Sequence, residues 1–271
     1  MENQSSFART ALIIGGGLTA LVLLGLLIWW IIGQFNTTEQ EIRVEQIHFT
    51  TSDGVLITGE IYRPIGTPRG AALLIHMLPA DKESWVSFAT ELADQGYLGL
   101  AINLRGHGGS TKQGDRTLDY KSFSESEHQN SQFDVTAALA YLRDNEGMSD
   151  HQIGLVGASL GANLALQTLA TEHQFTWGVL ISPGFNYRGI QTEPLMAQIR
   201  PPQRLLLITS ANDLYSVQTV TRLADTAPAP VTTSKIAGQD HGTAILANSP
   251  ETQTSIIHWI TSNTLKLSKN S

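Results

Sequence analysis

The feature that most constrains the fold of this chain is an apolar run that turns through one serine into a helix-like run. Residues 154–166 read GLVGASLGANLAL. The apolar IGLV segment is typical of a buried strand, whereas ANLALQTLA repeats its apolar residues at helical spacing. Ser159 therefore lies at a strand-to-helix turn with Gly157 and Gly161 two positions away on either side. Such a turn leaves no room for flanking side chains, so the pattern predicts a G-x-S-x-G elbow; an incidental serine in a glycine-rich turn is the alternative.

Strand-like and helix-like segments alternate along the rest of the chain from residue 42. An antiparallel hairpin is expected first, because TSDG separates the strand-like runs EIRVEQIHFT and VLITGEIYRP. The later alternation predicts an α/β fold with a mostly parallel central sheet and helices on both faces. Residues 106–130 and 183–203 are expected to be long irregular stretches at the carboxyl ends of strands, where open α/β sheets hold their sites. The second stretch allows only a short cap.

The amino terminus carries a membrane-segment pattern. Residues 11–32, ALIIGGGLTALVLLGLLIWWII, are uncharged and long enough to cross a hydrocarbon core of about 30 Å as a helix. No small-x-small cleavage site follows, so we expect a retained signal anchor. Arg9 before the span and Glu39 and Glu41 after it favour a single-pass membrane protein with an extracytoplasmic main domain. The sequence leaves this orientation and any cleavage open.

The predicted organisation is a tail (1–10), a transmembrane helix (11–32), a linker (33–41), one α/β domain (42–267) and a tail (268–271). The 271 residues, 41% of them hydrophobic, suffice for one large domain with a substantial core. The net charge of −7 is interspersed and forms no basic stripe, so a nucleic-acid partner is not expected. The absence of cysteine excludes disulfides and thiolate sites. The sequence pattern indicates no particular oligomeric state.

Two residues downstream of Ser159 have the type and order that nucleophilic catalysis needs. A serine hydroxyl needs a base within hydrogen-bond reach, and that base needs a third group to orient it. Asp213 follows the apolar strand 204–208, and His241 follows the strand-like segment 232–236. The order Ser, Asp, His is that of α/β-hydrolase triads. Taken singly, Asp213 also suits a helix cap and His241 a surface loop.

An oxyanion hole is expected beside the serine, because acyl transfer builds negative charge on the substrate oxygen. The Leu160 N–H, directly after the serine, is one expected donor. The loop HMLPADKESW supplies the other, which we assign to Leu78, with Met77 as the adjacent alternative. His76, at the end of a buried strand, is expected to shape this loop.

Together these segments resemble the α/β-hydrolases of the bacterial esterase, dienelactone hydrolase-like and serine aminopeptidase-like kind, over about residues 42–267. The segments that carry the resemblance are LLIHMLPADKESW, YLGLAINLRGHGGS, GLVGASLGANLAL, LLLITSANDLYS and GQDHGTAIL. Met77 departs from the His-Gly pair of many relatives, and Asn103 stands where relatives often carry aspartate. The turn at residues 105–108 resembles a structural turn of this fold.

The resemblance and the triad order imply a membrane-anchored serine hydrolase that cleaves a carboxylic ester of a small molecule without a cofactor. Met77, Phe185 and Tyr187 are expected to contact substrate. Amide or peptide hydrolysis stays open, because fold does not fix chemistry. A non-catalytic membrane-tethered binding protein is the alternative of another class. The segment ESEH at 125–128 is expected to be a solvated loop, so no metal site is predicted.

Overall fold

Residues 41–267 are described by the computed structural model, and strands and helices alternate along them as the sequence pattern predicts. The strands are β1 (Arg43–Thr50), β2 (Val55–Arg63), β3 (Ala71–Ile75), β4 (Leu98–Ile102), β5 (Lys112–Gln113), β6 (Arg116–Thr117), β7 (Ile153–Ala158), β8 (Trp177–Ile181), β9 (Asn186–Tyr187), β10 (Ile190–Gln191), β11 (Arg204–Ser210) and β12 (Val231–Ile236). The helices are α1 (Val86–Asp94), α2 (Glu125–Gln129), α3 (Ser131–Asp144), α4 (Leu160–Thr171), α5 (Thr192–Met196), α6 (Leu214–Thr226), α7 (Ala244–Asn248) and α8 (Pro250–Leu267).

The central sheet is mostly parallel, as predicted. Strands β12, β11, β8, β7, β3 and β4 lie side by side in that order and run parallel. The predicted entry hairpin is present, since β1 pairs antiparallel with β2, and β2 pairs antiparallel with β4. The carboxyl ends of the parallel strands therefore meet at one edge, where their following loops can share a site.

Helices cover both faces of the sheet, which explains the unbroken apolar runs of its strands. In β3, Leu73 and Ile75 join the core cluster formed with α3, α4 and α6, whereas Ala72 and Leu74 join the cluster formed with α1, α7 and α8. All five residues of β3 are fully buried. Each large apolar side chain removed from water contributes roughly 1.5–3 kcal/mol to folding. Because the central strands are buried on both faces, they form a stable support for the loops that follow them.

The two stretches expected to be irregular contain ordered elements, so that prediction is wrong. Residues 106–130 include β5, β6 and α2, and residues 183–203 include the β9–β10 hairpin and the five-residue α5. The solvated loop expected at 125–128 is part of α2. Ser124 and Glu127 form a capping box that starts this helix, and His128 is buried with its ring edge on Phe123.

The turn at residues 105–108 is tied into the core. Arg105 binds Asp134 and Asp53 through its guanidinium group, with distances of 2.8 Å and 2.7 Å. His107 stacks on Tyr120 with ring centroids 3.9 Å apart. These buried contacts agree with the structural turn expected from the sequence.

The predicted transmembrane helix at residues 11–32 lies outside the described residues and stays a prediction. Within residues 41–267, no helix has both the length and the apolar character needed to cross a membrane.

Candidate active site

The elbow at Ser159 has the strained geometry that the glycine pattern predicts. Ser159 lies between β7 and α4 with φ 52° and ψ −116°, a backbone conformation that side-chain-bearing residues rarely adopt. A Cβ added to Gly157 would lie 2.1 Å from the Gly161 carbonyl oxygen, and one added to Gly161 would lie 2.2 Å from the Ile75 carbonyl oxygen. Both flanking glycines are therefore required, because other backbone atoms lie too close for a side chain. Gly161 packs directly against Ile75, the last residue of β3.

Ser159, His241 and Asp213 come together at the carboxyl edge of the sheet. His241 Nε2 lies 2.8 Å from Ser159 Oγ, and His241 Nδ1 lies 2.6 Å from Asp213 Oδ2. Because a carboxylate can only accept, Nδ1 carries the proton and Nε2 is free to accept from the serine hydroxyl. The side chain of Asp213 is 14% exposed and that of His241 is 38% exposed. The base is thus accessible to a small molecule while its carboxylate partner is shielded.

Asp213 holds two positions at once, since it caps α6 and binds His241. Its Oδ1 accepts from the Ser216 N–H at 3.3 Å, and the other carboxylate oxygen accepts from His241. Burial acts to raise the pKa of Asp213, but the hydrogen bonds from His241 and Ser216 outweigh it and hold that pKa below its usual value. The carboxylate therefore stays ionised at neutral pH.

The His241 loop is fixed by a residue that the sequence analysis did not single out. Ser182, directly after β8, accepts a hydrogen bond from the Gly242 N–H at 3.0 Å. Ser182 is fully buried and has a φ of 51°. Gly242 also has a positive φ, and a Cβ added there would lie 2.4 Å from Met77 Sδ. A small polar residue directly after a buried strand, as in VLISPG, is the sequence signal for this role.

The loop after β3 is positioned by His76. The buried ring donates from Nδ1 to the Met77 carbonyl oxygen at 2.8 Å and accepts at Nε2 from the Leu104 N–H at 3.0 Å. Burial lowers the pKa of His76 to about 3, so the ring is neutral and this tautomer is retained. In the planar trans peptide that joins Met77 to Leu78, the carbonyl and the N–H point to opposite sides. His76 thus fixes the direction of the Leu78 N–H.

The other expected oxyanion donor, Leu160, is the first residue of α4. The first N–H groups of a helix have no partner within it. The contact between the elbow and Ile75 brings this helix terminus beside the strand that leads into the Leu78 loop. The two N–H groups are thus carried by adjoining backbone segments.

Asn103, where relatives often carry aspartate, anchors the same loop. Its Oδ1 accepts from the Lys82 N–H at 2.8 Å, and its Nδ2 donates to Thr58 Oγ1 at 3.1 Å. The amide can donate and accept at once, which a carboxylate cannot. The departure therefore leaves the loop attached to β2 and β4.

Two of the residues expected to contact substrate lie next to His241 or to the residue that follows it. Met77 packs against Gly242, and Tyr187 presents its ring to His241 at a centroid distance of 6.2 Å. Phe185 contacts Tyr215 at 5.9 Å, and Tyr215 in turn contacts Tyr187 at 5.7 Å. In the described part of the chain, no group of three or more His, Asp or Glu side chains is arranged to hold a metal ion.

Comparison with known proteins finds a matching family model and similar solved structures. A family model described as the alpha/beta hydrolase fold matches residues 72–239. Among solved structures, a dienelactone hydrolase from Anabaena variabilis has a TM-score of 0.64 and 16% identity, over 84% of this chain and 99% of that one.

Two further solved structures are similar. An esterase from Pyrococcus furiosus has a TM-score of 0.63 and 18% identity over 82% of this chain and 90% of its own. An acetyl xylan esterase from Paenibacillus has a TM-score of 0.64 and 15% identity over 82% and 85%. No curated protein sequence gives a significant match to this chain.

Proposed function

Because the chain belongs to the alpha/beta hydrolase family, we propose that it is a serine hydrolase that cleaves carboxylic esters through an acyl-enzyme. The observation that carries the proposal is the continuous hydrogen-bonded series from Ser159 through His241 to Asp213. Its three members follow β7, β12 and β11 at the carboxyl edge of the sheet. A hydroxyl, an oriented base and an ionised carboxylate in this order are the groups that acyl transfer needs.

The mechanism follows from the hydrogen bonds. Ser159 Oγ attacks the ester carbonyl carbon while its proton passes to His241 Nε2, and the Asp213 carboxylate stabilises the resulting imidazolium. The carbonyl oxygen takes the negative charge and accepts from the Leu78 and Leu160 N–H groups. The C–O bond then breaks and His241 gives its proton to the departing alcohol. Water, deprotonated by His241, attacks the acyl carbon. The bond from that carbon to Ser159 Oγ then breaks, His241 returns the proton to Oγ, and the acid leaves.

Ester cleavage is preferred to amide cleavage because the similar structures include esterases from Pyrococcus furiosus and Paenibacillus and a dienelactone hydrolase. Met77, which packs against Gly242, and Tyr187, whose ring faces His241, are the proposed substrate contacts. Phe185 is linked to Tyr187 through Tyr215. No step in this scheme calls for a cofactor.

The test of this function is labelling by a fluorophosphonate, which reacts with an activated serine, alongside turnover of activated esters and of aminopeptidase substrates. The full chain should be labelled and should cleave the esters faster than the amides. The Ser159→Ala variant should be folded, unlabelled and slower in kcat by on the order of 10^6-fold. Ser255→Ala, which removes an exposed serine of α8, is the matched control and should behave as the parent. Equal turnover by Ser159→Ala would refute the proposal, and faster amide cleavage would change its substrate class.

We also propose that residues 11–32 anchor the protein in a bilayer with the hydrolase domain on the extracytoplasmic side. The uncharged 22-residue run supports the anchor, and Arg9 before it with Glu39 and Glu41 after it supports the orientation. The full chain should stay with membranes through high-salt and alkaline washes, because salt does not screen hydrophobic burial. A version beginning at Thr38 should be released and equally active. Protease added to intact spheroplasts should remove the domain, and protection until lysis would reverse the orientation.

A further inference from the structure

A short hairpin beside the triad is attached to α4, the helix that follows Ser159. This cap hairpin, residues 184–192, contains β9 and β10. Asn163, fully buried on α4, donates from Nδ2 to the carbonyl oxygens of Gly184 and Ile190 at 3.0 Å and 2.9 Å. Its Oδ1 accepts from the Gly184 N–H at 3.2 Å. Thr192 Oγ1 also donates to the Gly184 carbonyl at 2.9 Å. The base of the hairpin is therefore held by the helix that follows Ser159.

The tip and the outer side of the cap hairpin are also fixed. Arg188 and Gly189 both have positive φ, 53° and 83°, as a two-residue hairpin turn of the I′ kind requires. Gln129 Nε2 on α2 donates to the Arg188 carbonyl at 3.1 Å. The Tyr215 hydroxyl on α6 accepts from the Asn186 N–H at 3.0 Å. Contacts from three helices thus hold one strand register, and that register sets the position of Tyr187.

Tyr187 is held against the reacting groups. Its ring is perpendicular to the His241 ring at a centroid distance of 6.2 Å. Burial raises the pKa of Tyr187, and the nearby hydroxyls of Ser216 and Ser159 oppose that rise, so the phenol stays protonated beside the nucleophile. A Cβ added to Gly184 would lie 2.5 Å from the Tyr187 ring and 2.7 Å from the Tyr215 ring. Gly184 therefore makes room for both rings at once.

The surface beside Tyr187 is aromatic and open to solvent. Phe185, Tyr187 and Tyr215 form an aromatic cluster with centroid distances of 5.7 Å and 5.9 Å to Tyr215. Tyr215 is 41% exposed. An exposed aromatic side chain close to a reactive group is typical of a ligand-binding surface.

The position of the cluster relative to His241 decides which part of a substrate it meets. His241 Nε2 gives its proton to the leaving-group oxygen, so that oxygen must lie within hydrogen-bond reach of this nitrogen. Tyr187 borders both His241 and Ser159, and the Leu78 and Leu160 N–H groups orient the carbonyl oxygen. The alcohol part of an ester therefore extends from His241 along Tyr187 toward Tyr215.

We propose that the aromatic cluster is the leaving-group subsite and that it selects esters whose alcohol part is apolar and aromatic. The inference rests on the proposed ester hydrolase function and adds the substrate class. Aromatic rings attract one another beyond the burial of their area, so a flat aromatic alcohol gains more here than a saturated one of equal size.

The test varies the alcohol and the acyl group separately on the full chain. Benzyl, cyclohexylmethyl and ethyl butyrate share an acyl group and have alcohols of similar acidity. The expected order of kcat/KM is benzyl, then cyclohexylmethyl, then ethyl. Tyr187→Leu and Tyr215→Leu should each lower kcat/KM for the benzyl ester by about tenfold more than for the ethyl ester. Deacylation follows departure of the alcohol, so its rate should not depend on which alcohol the ester carried.

Matched controls separate this role from a general loss of structure. Phe133→Leu changes a side chain with the same 41% exposure as Tyr215, on α3, and should leave the benzyl-to-ethyl ratio unchanged. Tyr215→Phe keeps the ring and removes the hydroxyl that holds Asn186, so it should retain most of that ratio. Equal losses on both esters, or an altered preference for acyl length alone, would overturn the subsite.

A binding measurement keeps the inference testable apart from turnover. Benzyl alcohol titrated into the Ser159→Ala variant should shift NMR signals of the protein, and adding Tyr187→Leu should weaken that binding by about tenfold, whereas ethanol should have no comparable effect. Failure of the hydrolase proposal is absence of labelling and of all ester turnover. If benzyl alcohol did not bind, or bound equally well to the Tyr187→Leu variant, the subsite would be refuted whether or not turnover occurred.

Discussion

Two substitutions of His76 remove its two hydrogen bonds one at a time. The ring joins the Met77 carbonyl through Nδ1 and the Leu104 N–H through Nε2. In His76→Asn, the side-chain amide nitrogen takes a position close to that of Nδ1 and can still donate to Met77. In His76→Gln, the side-chain amide oxygen reaches close to Nε2 and can still accept from Leu104.

The two variants should lose different properties. His76→Asn leaves a buried N–H unpaired, which costs about 1–3 kcal/mol of unfolding free energy, but it keeps the peptide that carries the Leu78 N–H in place. His76→Gln frees that peptide to rotate. Loss of one oxyanion donor lowers kcat by about 10²–10³-fold. We therefore expect His76→Asn to be the less stable variant and His76→Gln to be the less active one.

Urea unfolding and ester kinetics measure the two effects on the same preparations. The KM of His76→Gln should change little, because an oxyanion donor acts in the transition state and hardly in the bound ester. Fluorophosphonate titration of the active sites corrects each kcat for inactive protein. If both variants lost activity in proportion to stability, His76 would be a structural residue alone, and the orientation of Leu78 would not depend on it.

Two further predictions concern stability. Burial lowers the pKa of His76 to about 3 and that of His107 to about 4. Below pH 6.5 the unfolded state therefore binds more protons than the folded state. The free energy of unfolding should fall by about 2 kcal/mol per histidine from pH 6.5 to pH 5. Equal urea midpoints at pH 6.5 and 5 would contradict this. Gly161→Ala places a Cβ 2.2 Å from the Ile75 carbonyl oxygen, whereas Gly99→Ala meets only contacts of 3.5 Å or more. Thermal unfolding should show a loss of about 3 kcal/mol or more for the first and a much smaller change for the second.

The sequence predicts best the strands that are buried on both faces of the sheet, because their apolar runs are continuous. The strand expected at residues 204–208 is present as β11, and the strand expected before residue 183 is present as β8, which ends at Ile181. Helix α2 was not predicted, although Ser124 and Glu127 have the spacing of a capping box. Its five-residue length and polar composition hid it, since no apolar periodicity accompanies the cap.

The site could be predicted as a set of residues but not as a set of contacts. Chain order and strand ends place Ser159, Asp213 and His241 at one edge of the sheet. Nothing in the local pattern pairs Ser182 with Gly242, which is 60 positions away. Such pairings depend on how loops from different strands pack, and periodicity reports only the element on which a residue lies.

The hydrogen bonds that organise the site hold its loops to one another and to α4 above the sheet. His76 donates to the Met77 carbonyl, Ser182 receives the Gly242 N–H, and Asn163 holds the cap hairpin. The sheet below is stabilised separately, by apolar burial on both faces. Breaking one loop bond therefore displaces a reacting group by a fraction of an ångström at little cost to the core, and catalysis is sensitive to displacements of that size. Substitutions at these bonds should consequently reduce activity well before they reduce the cooperativity of unfolding.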